Sequence, residues 1–342
     1  MVTRSLSDMS KIRVGVFFGG RSAEHDISIL SAKSIMQNLD KRKYEIIPIK
    51  IDRNGKFHFP IPNRSDLQIL DENIARHIDV AFPALHGPYG EDGSIQGLFK
   101  SLGIAFVGSG VLGSAIAMDK DVTKRLLREA GILCAKDLVF HCCEFNRNNI
   151  NYEEVVSTLG EVVFVKPANL GSSVGISKAK SKDEFFTAAK NAFHYDRKIL
   201  VEEFIQGREI ECAILGIDDP RASVLGEVIL KSEFYSYDAK YVDGYEASLQ
   251  IPADLPCDIS NKIREIAIKA FKVLCCESMA RIDFFLRNNS EIILNEVNTI
   301  PGFTEKSSMY PKLWEASGTP YTELLDKLVE MAMERYNRFR SN

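Results

Sequence analysis

No apolar run in this 342-residue chain approaches the length that a membrane span needs, so no membrane partner is expected. Residues Met1 to Ser10 carry no apolar h-region, and no signal peptide is expected there. Basic stripes are missing too. The chain has 43 Lys and Arg against 47 Asp and Glu, and its net charge of −4 gives no support to a nucleic-acid partner. Seven cysteines occur singly or as adjacent pairs (Cys142-Cys143, Cys275-Cys276), without metal-ligand spacing. They read as reduced, mostly structural thiols of a cytoplasmic protein. There is no internal repeat and no low-complexity segment. Neither a GxGxxG turn after the first strand nor a helix-opening GxxxxGKS/T loop is present, so the dinucleotide and P-loop fingerprints are both absent.

With 45% apolar and 26% charged residues, the composition is that of a soluble globular chain, and the length predicts two or three domains. The most informative stretch is 281–303. Arg281-Ile282-Asp283-Phe284-Phe285-Leu286 and Glu291-Ile292-Ile293-Leu294-Asn295-Glu296-Val297-Asn298 flank Asn288-Asn289-Ser290 and predict a β-hairpin. Carboxylates within such apolar runs need a reason, because an unpaired charge on an inward face is costly. An even-numbered loop would put Asp283 diagonally across from Glu296 on one face, with Arg281 opposite Glu296 and Asn298 two residues further along. Three oxygen ligands converging there suit Mg²⁺, which keeps open positions for phosphate oxygens. The alternative is an amphipathic hairpin with its charges in water.

From the start, Lys11 to Phe18 is an apolar run ending in Gly19-Gly20, followed by a helical stretch from about Ile27 to Leu39. Strand, glycine turn and helix open a doubly wound α/β unit. Tyr44 to Ile51 and Asp79 to Leu85 read as further strands, and Gly103 to Val107 as a short one. Ligands of such sheets bind beyond the carboxyl ends of strands, where Glu24 and His86 fall. Asp119 is placed to cap a helix running to about Ala130. Glu161 to Pro167 is a strand bearing Lys166 near its end, and Gly171-Ser172-Ser173-Val174-Gly175 follows. Small residues admit an anion to backbone N–H groups, and the lysine adds a point charge, so this reads as a phosphate-cradling flap between strands, the alternative being a plain hairpin turn. Ile199 to Ile205, Ile210 to Leu215 and Val224 to Leu230 are strands, Phe234 to Ser248 a long loop of the kind that forms lids, and Cys257 to Leu274 and Pro320 to Arg338 helices.

Taken together, Lys120, Lys166 with the Gly171–Gly175 run, Glu202 to Glu209, and Asp283 with Glu296-Val297-Asn298 resemble an ATP-grasp ligase. Ser22-Ala23-Glu24-His25, His86-Gly87 with Gly90-Glu91-Asp92-Gly93, Ala239-Lys240-Tyr241 and Asn298 to Thr304 narrow the resemblance to the D-alanine–D-alanine ligase family, over about residues 12–335. The resemblance implies a mixed α/β and α+β fold. A doubly wound α/β domain (1–117) would precede a two-part ATP-grasp domain, divided into a central (118–215) and a C-terminal (216–342) subdomain.

It also implies roles. Lys120 and Lys166 would contact ATP phosphates with Gly171, Ser172, Ser173 and Val174 around them. Glu202 would accept from the adenine amino group, backbone groups of Glu203 and Ile205 would frame the ring, and Glu209 would bind the ribose. Asp283, Glu296 and Asn298 would hold a pair of Mg²⁺ ions, with Mn²⁺ as a substitute. Glu24 would meet the first D-alanine's ammonium and join Ser172 and Tyr241 in closing the site, and His86 and Lys240 would belong to the substrate pocket. Arg281 and the Gly302 N–H would stabilise an oxyanion. The family's serine for the second substrate falls on Ser307 counted from one side and on Ser308, beside Met309, counted from the other. A homodimer is implied as well. D-alanine–D-lactate and D-alanine–D-serine ligases share the pattern. A nicotinamide dehydrogenase and a non-catalytic ATP-binding protein are the readings outside the class.

Overall fold

The computed structural model describes residues 11–59, 74–147, 149–171, 174–230 and 247–340. Its first sheet is built from β1 (Ile12–Gly19), β2 (Tyr44–Ile51), β3 (Phe57–His58), β4 (Val80–Pro83) and β5 (Ala105–Phe106), with helices α1 (His25–Asn38), α2 (Ile74–His77) and α3 (Ser94–Ser101) between strands. The order is β3-β2-β1-β4-β5, and β2, β1, β4 and β5 run parallel. A parallel strand covered on both faces reads as a continuous apolar run, as Val14 to Phe17 does. The chain leaves β1 through Gly19 and Gly20, both at positive φ. A Cβ at Gly19 would lie 2.3 Å from the Ile51 carbonyl oxygen, so only glycine fits this turn.

Next come α4 (Val111–Met118), α5 (Lys120–Glu129), β6 (Asp137–His141), α6 (Cys142–Asn146), α7 (Tyr152–Leu159), β7 (Val163–Pro167), β8 (Ser177–Ala179), α8 (Lys182–Ala192) and β9 (Lys198–Glu203). The four strands form an antiparallel sheet in the order β6-β9-β7-β8. Asp119 caps α5 as expected, its carboxylate accepting the Val122 N–H.

The third sheet, β12-β11-β10-β13-β14, comprises β10 (Arg208–Gly216), β11 (Arg221–Leu230), β12 (Ala247–Gln250), β13 (Ser278–Arg287) and β14 (Glu291–Asn298), with α9 (Cys257–Val273) inserted before β13. Helix α9 buries Ile263, Ala267, Ala270 and Phe271, one apolar stripe, against Ile210, Cys212, Ile282 and Phe284. Helices α10 (Met309–Ala316) and α11 (Tyr321–Arg340) close the chain. A division at residue 215 would place β10 with the second sheet. Its hydrogen bonds go instead to β11 and β13, so the sheets divide after Glu203. Helix α11 bridges the third sheet, at Leu215 and Met279, and the first. Leu324, Leu325, Leu328 and Val329 share one core with Val14, Val80 and Phe82 of the first.

The predicted hairpin is β13–β14, with a register that corrects the expectation. The loop has three residues, 288–290, and Asn288 and Asn289 adopt positive φ. From Arg287↔Glu291 to Phe284↔Leu294 the ladder is regular, and then a bulge at Asn295 shifts it. Asp283 therefore faces Glu296 directly rather than diagonally, and Arg281 faces Asn298 rather than Glu296. The bulge returns all four to the same face.

Candidate active site

The third sheet presents its polar face to a cleft of about 400 Å³ lined by Glu209, Glu211, Arg281, Asp283, Glu296, Gly302, Thr304, Ser307, Ser308 and Met309. Arg281 is half-buried here. Its Nε donates to Asp283 Oδ1 at 2.8 Å, its Nη2 to Asp283 Oδ2 at 2.7 Å, and its Nε lies 2.9 Å from Glu211 Oε2. Burial opposes the guanidinium's charge, but Asp283 and Glu211 outweigh it and hold Arg281 firmly protonated. Asn298 Nδ2 donates to Asp283 Oδ2 at 3.0 Å and approaches Glu296 Oε1 at 3.5 Å.

Asp283, Glu296 and Asn298 thus form one oxygen-rich patch, and turning the Asn298 amide over would add its oxygen to it. Such hard donors suit Mg²⁺. Among the described residues no group of three or more His, Cys, Asp or Glu is arranged for a metal. Two carboxylates and an amide leave most coordination positions to waters and phosphate oxygens, as Mg²⁺ sites usually do.

A second pocket adjoins the first through Glu296 and is lined by Glu91, Lys120, Leu170, Gly171, Asn298 and Thr299. Lys120, the first residue of α5, donates from Nζ to the Leu170 carbonyl. Burial lowers its pKa, against Glu296 which raises it. Behind it, Lys166 Nζ lies 2.6 Å from Glu202 Oε2, and Lys124 Nζ lies 2.7 Å from Glu202 Oε1. Burial works against the Glu202 charge, yet the two lysines hold its carboxyl down at about 2. Lys124 escaped the sequence reading. Its signal was its place four residues after Lys120 on α5, one turn along the same face. Glu209 lines the first cavity. Glu203, Ile205 and Val174 line neither: Glu203 accepts the Lys136 N–H, and Ile205 packs with Ala135 and Ile293.

The first sheet supplies the remaining wall. Glu24, just before α1, is buried, and its Oε2 lies 2.6 Å from where a Gly87 Cβ would sit and 3.5 Å from a Gly171 Cβ. His86 is buried between Ser31 Oγ, 2.9 Å from Nε2, and the Ile300 carbonyl, 2.9 Å from Nδ1. The carbonyl can only accept, so Nδ1 carries the proton and Nε2 accepts from Ser31. Burial pushes the ring's pKa down and keeps it neutral, against the nearby Glu24. His86 thereby ties α1 to the loop that follows β14. Glu91, part of the Gly90–Gly93 motif but given no role of its own from the sequence, accepts from the Gly87 N–H at 2.8 Å and the Ile300 N–H at 3.0 Å. Burial first, and Glu24 second, push its carboxyl up to about 8.

Gly302, Ser307 and Ser308 follow the hairpin. A Cβ on Gly302 would lie 2.8 Å from Ser308 Oγ, and the Thr304 N–H and hydroxyl both engage that same oxygen. Ser308 is half-buried at the start of α10 and Ser307 is exposed. Ser172, Ser173, Lys240 and Tyr241, with most of the 234–248 loop, lie outside the described residues.

Lys120 shares the second pocket with Glu296 and Asn298, and behind it Lys166 and Lys124 are held by Glu202, an arrangement suited to an enzyme that handles phosphates and carboxylates. Comparison with known proteins makes this specific. A model described as the C-terminus of D-Ala D-Ala ligases matches residues 126–330, and one described as the N-terminus matches 13–109. The D-alanine–D-alanine ligase of Shouchella clausii is 47% identical, over 96% of this chain and 97% of that protein. The structure of a Bacillus anthracis D-alanine–D-alanine ligase complexed with ATP superposes with a TM-score of 0.78 at 30% identity, covering 96% of this chain and 99% of that one. The VanG D-Ala:D-Ser ligase of Enterococcus faecalis superposes at 0.83 with 34% identity, covering 94% and 100%. The chain belongs to the D-alanine–D-alanine ligase family, and its fold is the ATP-grasp fold of that family.

Proposed function

We propose that this protein joins two D-alanine molecules into D-alanyl-D-alanine with ATP, through an acyl phosphate, for peptidoglycan precursor synthesis in the cytoplasm, and that it does so as a homodimer. The observation that carries the reaction is the continuity of the two pockets. Glu296 lies on both, between Lys120 on one side and Arg281, Ser307 and Ser308 on the other.

A carboxylate resists nucleophiles because it is already charged, and phosphorylating it creates a leaving group. That transfer is mainly positioning and charge neutralisation. Lys120 and Lys166 take phosphate oxygens, beside Gly171 and with Val174 near them. Glu202 keeps spare lone pairs beyond its two lysines and can accept from the adenine amino group. Backbone groups of Glu203 and Ile205 frame the base, and Glu209 meets the ribose. Asp283, Glu296 and Asn298 hold Mg²⁺, which when bound neutralises and orients phosphate oxygens. Glu24 receives the first substrate's ammonium. Ser308 with the Met309 backbone receives the second substrate's carboxylate, because Ser308 Oγ sits against Gly302 while Ser307 is exposed. The attacking amine builds a tetrahedral oxyanion that Arg281 and the Gly302 N–H stabilise, each donor being worth about 3–4 kcal/mol of barrier. Ser172, Lys240 and Tyr241 are assigned to substrate binding and closure by family resemblance.

Joining D-alanine to D-serine is the second reading, favoured only by the D-Ala:D-Ser neighbour. Phosphate release from ATP and Mg²⁺, titrated with D-alanine, L-alanine, or D-alanine plus D-serine or D-lactate, separates these readings. D-alanine alone is expected to drive release and give the dipeptide by mass. Release only with D-serine or D-lactate present would overturn the specificity, and no release at all would overturn the reaction.

A further inference from the structure

Glu211 belongs to no motif and has no role in the reaction described above, yet the sheet sets it beside the reacting groups. The register of β10, β13 and β14 pairs Glu211 with Asp283 and Asp283 with Glu296, so three carboxylates stand in one cross-strand row. Directly paired residues of antiparallel strands point to the same face. On the far side of Glu211 the paired residue is Gly226, where an added Cβ would lie 2.7 Å from Met309 Sδ, so Met309 walls that side. Glu211 Oε2 is 2.9 Å from Arg281 Nε.

Arg281 thus rests on two carboxylates whose demands differ. Both Asp283 oxygens face the guanidinium, and one also accepts from Asn298. If Asp283 turns lone pairs towards a divalent cation, the guanidinium loses part of its hold, and a positive charge remains beside the metal. Glu211 answers both problems. It offers Arg281 a carboxylate that the metal does not claim, and its negative charge offsets the guanidinium next to the cation.

We propose that Glu211 is a positioning residue that anchors Arg281 and so frees Asp283 to bind the divalent cation. This rests on the reading above in which Asp283 and Glu296 hold that cation. Without Glu211, Arg281 leans wholly on Asp283 and competes with the metal for it.

The test is Mn²⁺ binding to the full-length protein with ADP, followed by the electron paramagnetic resonance of free Mn²⁺. Wild type is compared with Glu211→Gln, Glu211→Ala, Arg281→Ala, the Glu211→Ala/Arg281→Ala double variant, and Asp283→Asn. Loss of a group that orients a metal ligand costs about tenfold or more in metal affinity. Glu211→Ala is expected to lose about that much, with Glu211→Gln (isosteric and uncharged) between it and wild type. The double variant is expected to match Arg281→Ala alone, because Glu211 acts only through Arg281. Unchanged affinity in both folded Glu211 variants would overturn the proposal. An equal loss whether or not Arg281 is present would overturn it too, by making Glu211 a ligand itself. Asp283→Asn separates the underlying reading: if that variant binds Mn²⁺ as wild type does, Asp283 is not a ligand and both readings fall.

Discussion

Lys124→Met is the most informative single perturbation of the nucleotide side of the cleft. The Lys124 side chain is 3% exposed, and its Nζ lies 2.7 Å from Glu202, 3.8 Å from Asp137 and 3.3 Å from the Ala135 carbonyl. Breaking a buried ion pair by removing one partner typically costs 3–5 kcal/mol, because the other charge stays buried. Here Glu202 keeps Lys166 and Asp137 keeps Arg128. Methionine also retains most of the lysine's apolar stem. The cost therefore falls at the low end, about 3 kcal/mol, or roughly two orders of magnitude in the unfolding equilibrium. A second effect follows. With Lys124 gone, Glu202 leans on Lys166 alone and holds it away from phosphate, so ATP binding should weaken by on the order of 1–2 kcal/mol, about five- to thirtyfold. Urea unfolding followed by circular dichroism reads the first effect, and calorimetric titration with an ATP analogue reads the second. The double variant Lys124→Met/Glu202→Gln should recover part of the loss, since coupled neighbours are non-additive. An unchanged unfolding midpoint, or strict additivity in the double variant, would refute the reasoning.

Three further outcomes are expected. Asp283→Ala should abolish phosphate release at ordinary Mg²⁺, and near-normal turnover would sink the metal assignment. Glu202→Gln should cost stability at neutral pH, and the gap should close in acid. The Glu202 carboxyl is held at about 2, below its ordinary 4.5, so its stabilisation is present above that ordinary value and fades as pH falls towards 2. Unfolding of both proteins between pH 7 and 3 checks this, and a gap independent of pH would contradict it. Gly87→Ala should raise the KM for D-alanine, because the glycine sits at φ +75° and the new Cβ would lie 2.6 Å from Glu24 Oε2. An unchanged KM would detach Glu24 from the substrate pocket.

Much of this was legible in local pattern. The unbroken apolar run of β1, the two apolar runs of β13 and β14 about their Asn-Asn-Ser turn, and the Asp119 cap of α5 each express a rule that acts within a few residues. Lys166, Asp283 and Glu296 drew notice because a charge inside an apolar strand needs a partner or a ligand. Three short helices were not legible, although Tyr152–Leu159, of the same length, reads as a helix from its sequence. Ser94–Ser101, Val111–Met118 and Met309–Ala316 span two turns or so, too little for a 3.6-residue period to stand out.

What the sequence alone determined was therefore the kind of element at most places, and the family, through residues whose order along the chain is itself distinctive. The tertiary structure decided how those elements meet. The bulge at Asn295 brings Asp283 opposite Glu296, and β10 crosses into the third sheet, which sets Glu211 beside Arg281. Lys124 and Lys166 come from different elements to one carboxylate, and α11 returns to close the first sheet's core. Each of these depends on register or packing between segments far apart in the chain. Shifting a strand by one residue turns its side chains to the other face, and no local pattern records which partner holds it there.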